Sequence, residues 1–345
     1  MTTKSDRATI ADVARLAGTS VTSVSNLLNG RTRSMSPSTA ERIRSAVTEL
    51  NFRPSATARA LVRQRTALLG VMVSEIETGL FLQGISRMES RAREHEFGVL
   101  IAGARTVDDE SRGIDLFIEK QTDAIIFLST SASRANDHLD RAADAGIPIV
   151  LVNRADAGLP FDHVGWDNRA GIVAAVDHLV GLGHRRIANL VGPPARISTV
   201  ERIAGYRSAL AAHGIPFDPA LLAKTDYDDD PSEWGAAALT LMRHEDPPTA
   251  LIAADDIVAG MVMRALASAG YKVPDDVSIV GVDDQPFAEY FGLTTVRLPV
   301  LEAGLAAVDL LMARMSDPSV PPQRRTLECP LVVRTTTAPP KLVQR

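Results

Sequence analysis

The stretch TIADVARLAGTSVTSVSNLLNG, residues 9–30, holds two short helical patterns separated by a turn. Thr9 is suited to cap the first helix, because Asp12 three residues later completes a capping-box pair at the positive helix end. Gly18 is suited to the turn, since glycine adopts a positive φ at low cost. The apolar face of the first helix comprises Ile10, Val13, Ala14 and Ala17.

The second helix has a small and mostly polar outer face. Ser20 is suited to cap this helix. Val24, Leu27 and Leu28 face inward. Short outer side chains allow a helix to approach base edges in a DNA major groove, which is about 12 Å wide. The two helices are therefore predicted to form a helix-turn-helix. Its outer positions are Val21, Thr22, Ser23, Ser25 and Asn26.

A third helix and a linker follow the helix-turn-helix. Ser36 is a good N-cap, and Pro37 occupies the first helical turn, where its missing N–H costs nothing. Pro54 blocks continuation of the helix. The segment SATARALVRQR, residues 55–65, can form a helix but is too short to be stable alone in water. We expect it to order only when another molecule braces it.

The charge of the chain is divided unevenly along its length. Residues 1–65 carry eleven Lys and Arg against four Asp and Glu, a net charge of +7, so the overall charge of −5 leaves −12 on the remainder. A small basic module on an acidic body is typical of a protein with a nucleic-acid-binding head. The alternative is a solvated basic face, but here the charge coincides with a motif.

Length and composition are those of a globular protein. At 345 residues the chain is long enough for two or three domains. Apolar runs stay well below 18 residues, and no apolar segment follows the first seven residues, so neither a membrane span nor a signal peptide is predicted. The chain has a single cysteine, Cys329, and so cannot form an internal disulfide, which favours a cytoplasmic protein. Cys329 itself is interpreted as a strand residue.

From residue 67 onward, strand and helix patterns alternate in two successive sets. Continuous apolar strands separated by amphipathic helices predict buried parallel sheets with helices on both faces. The fold class is therefore α/β, with a helical head and two doubly wound lobes, and ligands bind such folds beyond the carboxyl ends of the strands. The predicted strands are LLGVMV, GVLIAG, DAIIFLS and IPIVLVN in the first set, and RIANLVG, LLAKTDY, TALIAAD and VSIVGVDD in the second.

These pieces together resemble the LacI/GalR family of bacterial transcription regulators. The resemblance rests on residues 9–30, on MSPSTAERI, LNFRPSATARAL and LLGVMVSEI in that order, and on HRRIANLVGP and ERIAGYRSAL further along. It implies a periplasmic-binding-protein-like core. It also implies the following division: a DNA-binding domain at 1–53, a hinge at 54–66, and a core at 67–345. Within that core the N-lobe spans about 67–165 and 297–323, and the C-lobe about 166–294 and 324–338.

The resemblance also assigns DNA-binding residues. Val21 and Thr22 lie where the family sets operator specificity, and Asn26 stands where an arginine is common. Leu61 lies where the family places a leucine that wedges into the minor groove. Arg31 and Arg33 are placed to contact phosphates. The full predicted set is Thr9, Ser20, Val21, Thr22, Ser25, Asn26, Arg31, Arg33 and Leu61.

An effector is implied between the two lobes, with a sugar as the expected class. Arg202 matches the family's pocket arginine, a planar donor suited to vicinal hydroxyls, and Asp283 matches a carboxylate that accepts from ligand hydroxyls. Carboxylates at strand ends also cap helices, so that role stays open for Asp255. The predicted effector residues are Leu80, Phe81, Asn153, Arg154, Arg196, Ser198, Arg202, Asp255 and Asp283.

Three functions can be considered for this sequence: a DNA-binding regulator, a solute-binding receptor and an enzyme. A DNA-binding regulator explains the basic head, the hinge and the two-lobed body together. A solute-binding receptor would need export, and an enzyme would need a motif such as a P-loop or a G-x-S-x-G elbow, neither of which occurs. We therefore predict a homodimeric, non-enzymatic repressor with no cofactor or metal, which binds a pseudo-palindromic double-stranded DNA operator. Whether the effector releases or promotes DNA binding stays open.

Overall fold

The computed structural model describes most of the chain, which forms two compact units, residues 1–67 and 68–345. The described residues are 8–28, 31–32, 35–52, 65–74, 79–128, 137–154, 158–194, 196–225 and 230–341.

The first unit contains α1 (Ile10–Ala17), α2 (Val21–Leu28) and α3 (Pro37–Glu49). The predicted capping box is present, since the Asp12 N–H donates to Thr9 Oγ1 over 3.3 Å and the Thr9 N–H donates to Asp12 Oδ2 over 2.9 Å. Gly18 ends α1 in the left-handed conformation, with φ of 59°. These local features confirm the predicted turn between α1 and α2.

A small core holds the three helices of this unit together. Val13 of α1, Val24 of α2 and Ile43 of α3 are each fully buried. They belong to one cluster with Ala14, Ala17 and Ala46. The hydrophobic residues predicted to face inward therefore form the core, while the other side of α2 faces solvent.

The second unit alternates strands and helices. Its first half contains β1 (Leu68–Val73), α4 (Gly79–Glu94), β2 (Gly98–Gly103), α5 (Val107–Glu119), β3 (Ala124–Leu128), α6 (Asp137–Asp144), β4 (Ile149–Val152), β5 (Asp162–Trp166) and α7 (Asn168–Gly181). Next come β6 (Ile187–Val191), α8 (Ile197–Ala212), a 3-10 turn (Pro219–Leu221), β7 (Leu222–Lys224), α9 (Ser232–Met242), β8 (Ala250–Ile252), α10 (Asp256–Ser268) and β9 (Ser278–Asp283). The last elements are α11 (Pro286–Tyr290), β10 (Thr294–Arg297), α12 (Val300–Ser316), β11 (Arg324–Leu327) and β12 (Leu331–Val332).

Two sheets organise these elements within the described residues. The first has the strand order β11-β5-β4-β3-β1-β2 and is parallel throughout. The second has the order β12-β10-β9-β8-β6-β7 and is parallel except for the edge pair β10–β12. In each sheet the carboxyl ends of the parallel strands therefore lie along one edge, where open α/β sheets bind their ligands.

Helices cover both faces of the first sheet. Side chains of α4 and α12 join one hydrophobic cluster with Val71 and Val73, while α5 and α6 join another with Met72. The central strands β1, β3 and β4 are almost wholly apolar and buried on both faces, as parallel strands usually are. This pattern made these strands predictable.

The predicted lobe boundary near residue 324 needs a correction. The sequence placed residues 324–338 in the second lobe, but β11 pairs with β5 in the first sheet, with Leu327 opposite Trp166. The chain therefore enters the second sheet only at β12. Cys329 lies in the connection between β11 and β12 and not in a strand, which also corrects its interpretation. Edge strand β11 is mostly exposed, so it lacks the apolar run that marks the central strands.

In the portion of the chain that the structure describes, no helix has both the length and the apolar character needed to span a membrane.

Candidate functional site

The outward face of α2 is the candidate DNA-reading surface. Val21 is 45% exposed and Thr22 is also exposed, whereas Ser25 and Asn26 are half-buried. Ser20 caps the helix, since its Oγ accepts from the Ser23 N–H over 3.1 Å. Short exposed side chains at the start of a helix are suited to contact base edges.

The other predicted DNA-binding residues have different surroundings. Thr9 is exposed at the start of α1, and its side chain is engaged in the capping box. Arg31 is exposed beyond α2, in a position suited to a phosphate contact. Arg33 and Leu61 lie outside the described residues, so their predicted roles stay predictions.

Asp283 ends β9 with an unusual backbone. Its φ is 119° and that of Asp284 is 57°, both in the positive region that favours glycine. Non-glycine residues in such conformations store strain and concentrate at functional sites. Asp284 is held by an ion pair with Arg334 over 2.6 Å. The strained turn places the Asp283 carboxyl at the carboxyl edge of the second sheet, where it is 8% exposed.

The charges around Asp283 come from three neighbouring elements. Burial raises the pKa of the Asp283 carboxyl well above its ordinary value, and the carboxylate of Asp255 raises that pKa further. The Arg202 guanidinium opposes both effects and lowers the pKa. Gln285 Nε2 donates to Asp283 Oδ2 over a long 3.3 Å. The structure therefore brings Arg202, Asp255 and Asp283 together, as the sequence predicted for effector-binding groups.

Arg202 is oriented by two hydrogen bonds. Its Nη1 donates to the Ala254 carbonyl over 2.6 Å, and its Nε donates to Asn168 Oδ1 over 3.3 Å. The Asn168 amide in turn donates to Glu201 Oε2 over 2.8 Å. Arg202 is half-buried, so part of its guanidinium stays accessible. Asn168 and Glu201 were not predicted, because their link to Arg202 depends on the packing of α7 against α8.

Asp255 and Asp256 have separate tasks. Asp255 caps α10 by accepting from the Val258 N–H over 2.7 Å, which confirms the capping alternative for this residue. Asp256 is fully buried and accepts from Thr295 Oγ1 over 2.6 Å and from the Gln285 N–H over 2.7 Å. Burial raises the pKa of Asp256 to about 7, against the lowering effect of these two hydrogen bonds.

The buried Asp256 makes stability depend on pH. Its folded pKa of about 7 lies above the ordinary value of 3.8, so the folded state holds a proton that the unfolded state releases between these values. The free energy of unfolding should therefore fall as pH rises from about 4 to 7. We expect Asp256→Asn to flatten this slope and to stabilise the protein by about 1–2 kcal/mol at pH 8.

Urea unfolding at pH 5 and pH 8 checks this prediction. Asp276→Asn is a matched control, because Asp276 is an exposed aspartate whose ion pair with Lys341 lowers its pKa. Its pKa therefore shifts in the opposite direction from that of Asp256. An equal loss of stability in Asp256→Asn at both pH values would contradict the claim that the folded protein holds a proton on Asp256 below pH 7.

The first sheet contributes a second group of predicted residues at its carboxyl edge. Asn153 follows β4 and is buried. Its φ is 52°, so its backbone is in the positive-φ region, like that of Asp283 at the end of the third strand of the other sheet. Leu80 and Phe81 begin α4 and are 7% and 5% exposed. Arg196 and Ser198 are half-buried at the start of α8, the helix that carries Arg202.

Arg154, also predicted as an effector residue, is engaged in a buried ion pair. Its side chain is fully buried, and its Nη1 donates to Glu110 Oε1 over 2.7 Å. The other Glu110 oxygen lies 2.6 Å from His138 Nε2. Burial raises the pKa of Glu110, but the hydrogen bonds from His138 and Arg154 outweigh it, so the pKa is below its ordinary value and the group stays ionised. In this structure Arg154 neutralises a buried carboxylate, and its predicted contact with an effector stays a prediction.

Metal binding has no support in the part of the chain described. Among these residues, no group of three or more His, Cys, Asp or Glu side chains is arranged to hold a metal ion. His184 is buried and contacts Thr249 Oγ1 over 2.8 Å and the Ala338 carbonyl over 2.9 Å, which is a structural role.

Comparison with known proteins agrees with both units. Residues 9–55 match the domain described as bacterial regulatory proteins, lacI family, and residues 176–337 match a periplasmic binding protein-like domain. The transcriptional repressor PurR of Vibrio parahaemolyticus is 32% identical over 333 residues, which cover 95% of this chain and 98% of PurR. The chain belongs to the lacI family of bacterial regulatory proteins.

Solved structures of this family support the same assignment. The Lac repressor dimer bound to operator and the anti-inducer ONPF matches with a TM-score of 0.86 and 27% identity, over 96% of this chain and all of that chain. The complex of the transcriptional regulator CelR with cellobiose matches with a TM-score of 0.71 and 29% identity, over the same shares. The predicted fold class is confirmed, and this lacI-family protein is a DNA-binding transcriptional regulator.

Proposed function

We propose that this lacI-family protein is a cytoplasmic, homodimeric repressor whose effector is a sugar bound at the carboxyl edges of the two sheets. The observation that carries the proposal is the grouping of Arg202, Asp255 and Asp283 beside a strained turn. A guanidinium donates to sugar oxygens and carboxylates accept from sugar hydroxyls, so this set suits a polyhydroxyl ligand. That CelR binds cellobiose supports the same ligand class.

The remaining predicted residues complete the proposed site. Asn153 offers an amide from the first sheet, while Leu80 and Phe81 offer an apolar wall near the start of α4. Arg196 and Ser198 add polar groups at the start of α8. A few oriented polar groups beside an apolar wall are typical of small-molecule sites.

The proposed homodimer buries surfaces that are exposed in the single chain. Leu82 of α4 is 46% exposed. In the second sheet's half of the unit, Tyr290 is 87% exposed and Phe291 is 63% exposed. Large exposed apolar side chains that lie together mark interaction surfaces. A two-fold dimer then presents its two heads to inverted half-sites, as in a pseudo-palindromic operator.

Leu61 is expected to act at the centre of the operator. We expect Leu61→Gly to weaken binding to the specific operator at least tenfold, because the wedge that stabilises a kinked duplex is lost. Binding to scrambled DNA should stay nearly unchanged, since that binding comes from phosphate contacts. Leu61→Met keeps an apolar wedge and serves as the control. Fluorescence anisotropy at fixed salt measures both DNAs, and an equal loss on both would contradict the wedge.

A sugar panel tests the proposed effector. The full chain is titrated onto DNA from upstream of its own gene and onto scrambled DNA, with and without mono- and disaccharides and nucleosides. Sequence-selective binding that a sugar shifts is the expected result. Selective binding that a nucleoside shifts and no sugar shifts would contradict the assigned ligand class but not the regulator.

A further inference from the structure

Trp166 carries a buried polar atom with no partner. The residue ends β5 and is 5% exposed, and in the described part of the chain its indole Nε1 has no hydrogen-bond partner. A tryptophan N–H can only donate, and buried tryptophans usually find an acceptor. A buried donor without an acceptor has lost its hydrogen bond to water without replacing it, which destabilises the folded state. An acceptor on a bound molecule would satisfy this N–H.

The position of Trp166 agrees with such a role. It lies at the carboxyl edge of the first sheet, opposite Leu327 of β11. Two residues further along, Asn168 accepts a hydrogen bond from Arg202. The Trp166 side chain also belongs to the hydrophobic cluster that contains Leu80 and Phe81. Trp166 thus lies at the sheet edge proposed for the sugar, two residues before the partner of Arg202.

A second unpartnered group lies along the same edge. Ser74 follows β1, and its hydroxyl oxygen is buried with no hydrogen-bond partner in the described part. Its backbone N–H donates to the Leu128 carbonyl over 3.1 Å, so the residue itself is held in place. A polar molecule adjoining this edge would give hydrogen-bond partners to two buried polar atoms at the ends of two parallel strands.

We propose that Trp166 is an effector-binding residue whose indole N–H donates a hydrogen bond to an oxygen of the bound sugar. This inference rests on the proposed function. Arg202, Asp255 and Asp283 belong to the second sheet's side of the site, whereas Trp166 provides a donor from the first sheet. If the Trp166 N–H finds its acceptor only when the sugar contacts both sheets, the sugar binds more tightly to the conformation in which it can contact both. A ligand that prefers one conformation shifts the protein toward it, and this shift is what coupling of sugar binding to DNA binding requires.

The variant Trp166→Phe removes the N–H and keeps an aromatic ring. We expect sugar affinity to fall about tenfold, as for a lost hydrogen bond that leaves an unpaired acceptor. Trp234→Phe is the matched control, because Trp234 is the other tryptophan of the chain and is 2% exposed in the second lobe's core cluster. Isothermal titration calorimetry measures sugar binding to the full chain and both variants.

Nuclear magnetic resonance of the full chain labelled with ¹⁵N-tryptophan reports on the N–H itself. The two indole signals are assigned with the two variants, and the probe is the panel sugar that most changes operator binding, with cellobiose tested first. We expect the Trp166 signal to move to lower field when the sugar is added, and the Trp234 signal to stay in place.

The outcomes separate the two claims. A sugar that binds and shifts operator affinity, with an unmoved Trp166 signal and unchanged affinity in Trp166→Phe, would overturn the role of Trp166 alone. If no panel member changes operator binding, the proposed function fails and the role of Trp166 fails with it.

Discussion

Arg154→Met is expected to lower the free energy of unfolding by about 3–5 kcal/mol, the usual cost of removing one partner from a buried ion pair. The substitution leaves the Glu110 carboxylate buried with only His138 as a partner. These residues connect α5, α6 and the end of β4, so the loss weakens the carboxyl edge of the first sheet. Urea unfolding followed by circular dichroism measures the effect, with the two units' transitions fitted separately if they separate.

The double variant Glu110→Gln/Arg154→Met is the matched control. Removing both charges leaves no uncompensated buried ion, so most of the lost stability should return. Arg154→Met is also expected to keep its sugar response under conditions in which it is folded. A folded variant of unchanged stability that has lost its sugar response would instead show that Arg154 acts in the effector site.

Arg202→Ala is expected to shift the effector response to roughly tenfold to hundredfold higher sugar concentrations and to leave operator affinity without sugar unchanged. The guanidinium is the cation beside the buried Asp283 and the donor that faces the proposed sugar. Its loss removes hydrogen bonds to a charged group, each about 1.5–3 kcal/mol, or roughly tenfold to a hundredfold in sugar affinity. Anisotropy on operator DNA over a range of sugar concentrations measures the response.

Two further variants serve as controls for Arg202→Ala. Arg207→Ala changes an arginine on the same helix that lies over the Phe217 ring, 4.2 Å from its centroid, and should keep the full response. Arg202→Lys keeps the charge but loses the planar fork, so we expect a weakened response. A normal response in Arg202→Ala would remove this residue from the effector site.

Much of the fold was predictable because its signals are local. The capping box of Thr9 and Asp12 and the turn at Gly18 depend on residues only a few positions apart. The central strands of both sheets are continuous apolar runs between helices, which is the pattern of buried parallel strands. Strands β5, β10 and β11 were not singled out. Edge strand β11 consists of Arg324, Arg325, Thr326 and Leu327, whose place is set by pairing with β5, over 150 residues earlier.

The site was predictable only where a residue's role depends on its position at the end of a strand. Asp283 and Arg202 were found in this way, and the structure brings them together. Arg154 also follows a strand, but its partner Glu110 lies 44 residues earlier, and the sequence does not reveal that pairing. The roles of Asn168 and Trp166 likewise depend on tertiary packing, because neither residue belongs to a motif that names its partner.

The central claim is that operator binding and sugar binding are coupled, and coupling is reciprocal. Calorimetry of the panel sugar that shifts operator binding, titrated into the free protein and into its operator complex, tests this directly. The two sugar affinities are expected to differ by the same factor, about 5- to 150-fold, by which saturating sugar changes operator affinity. Equal sugar affinities for the free and DNA-bound protein would contradict it.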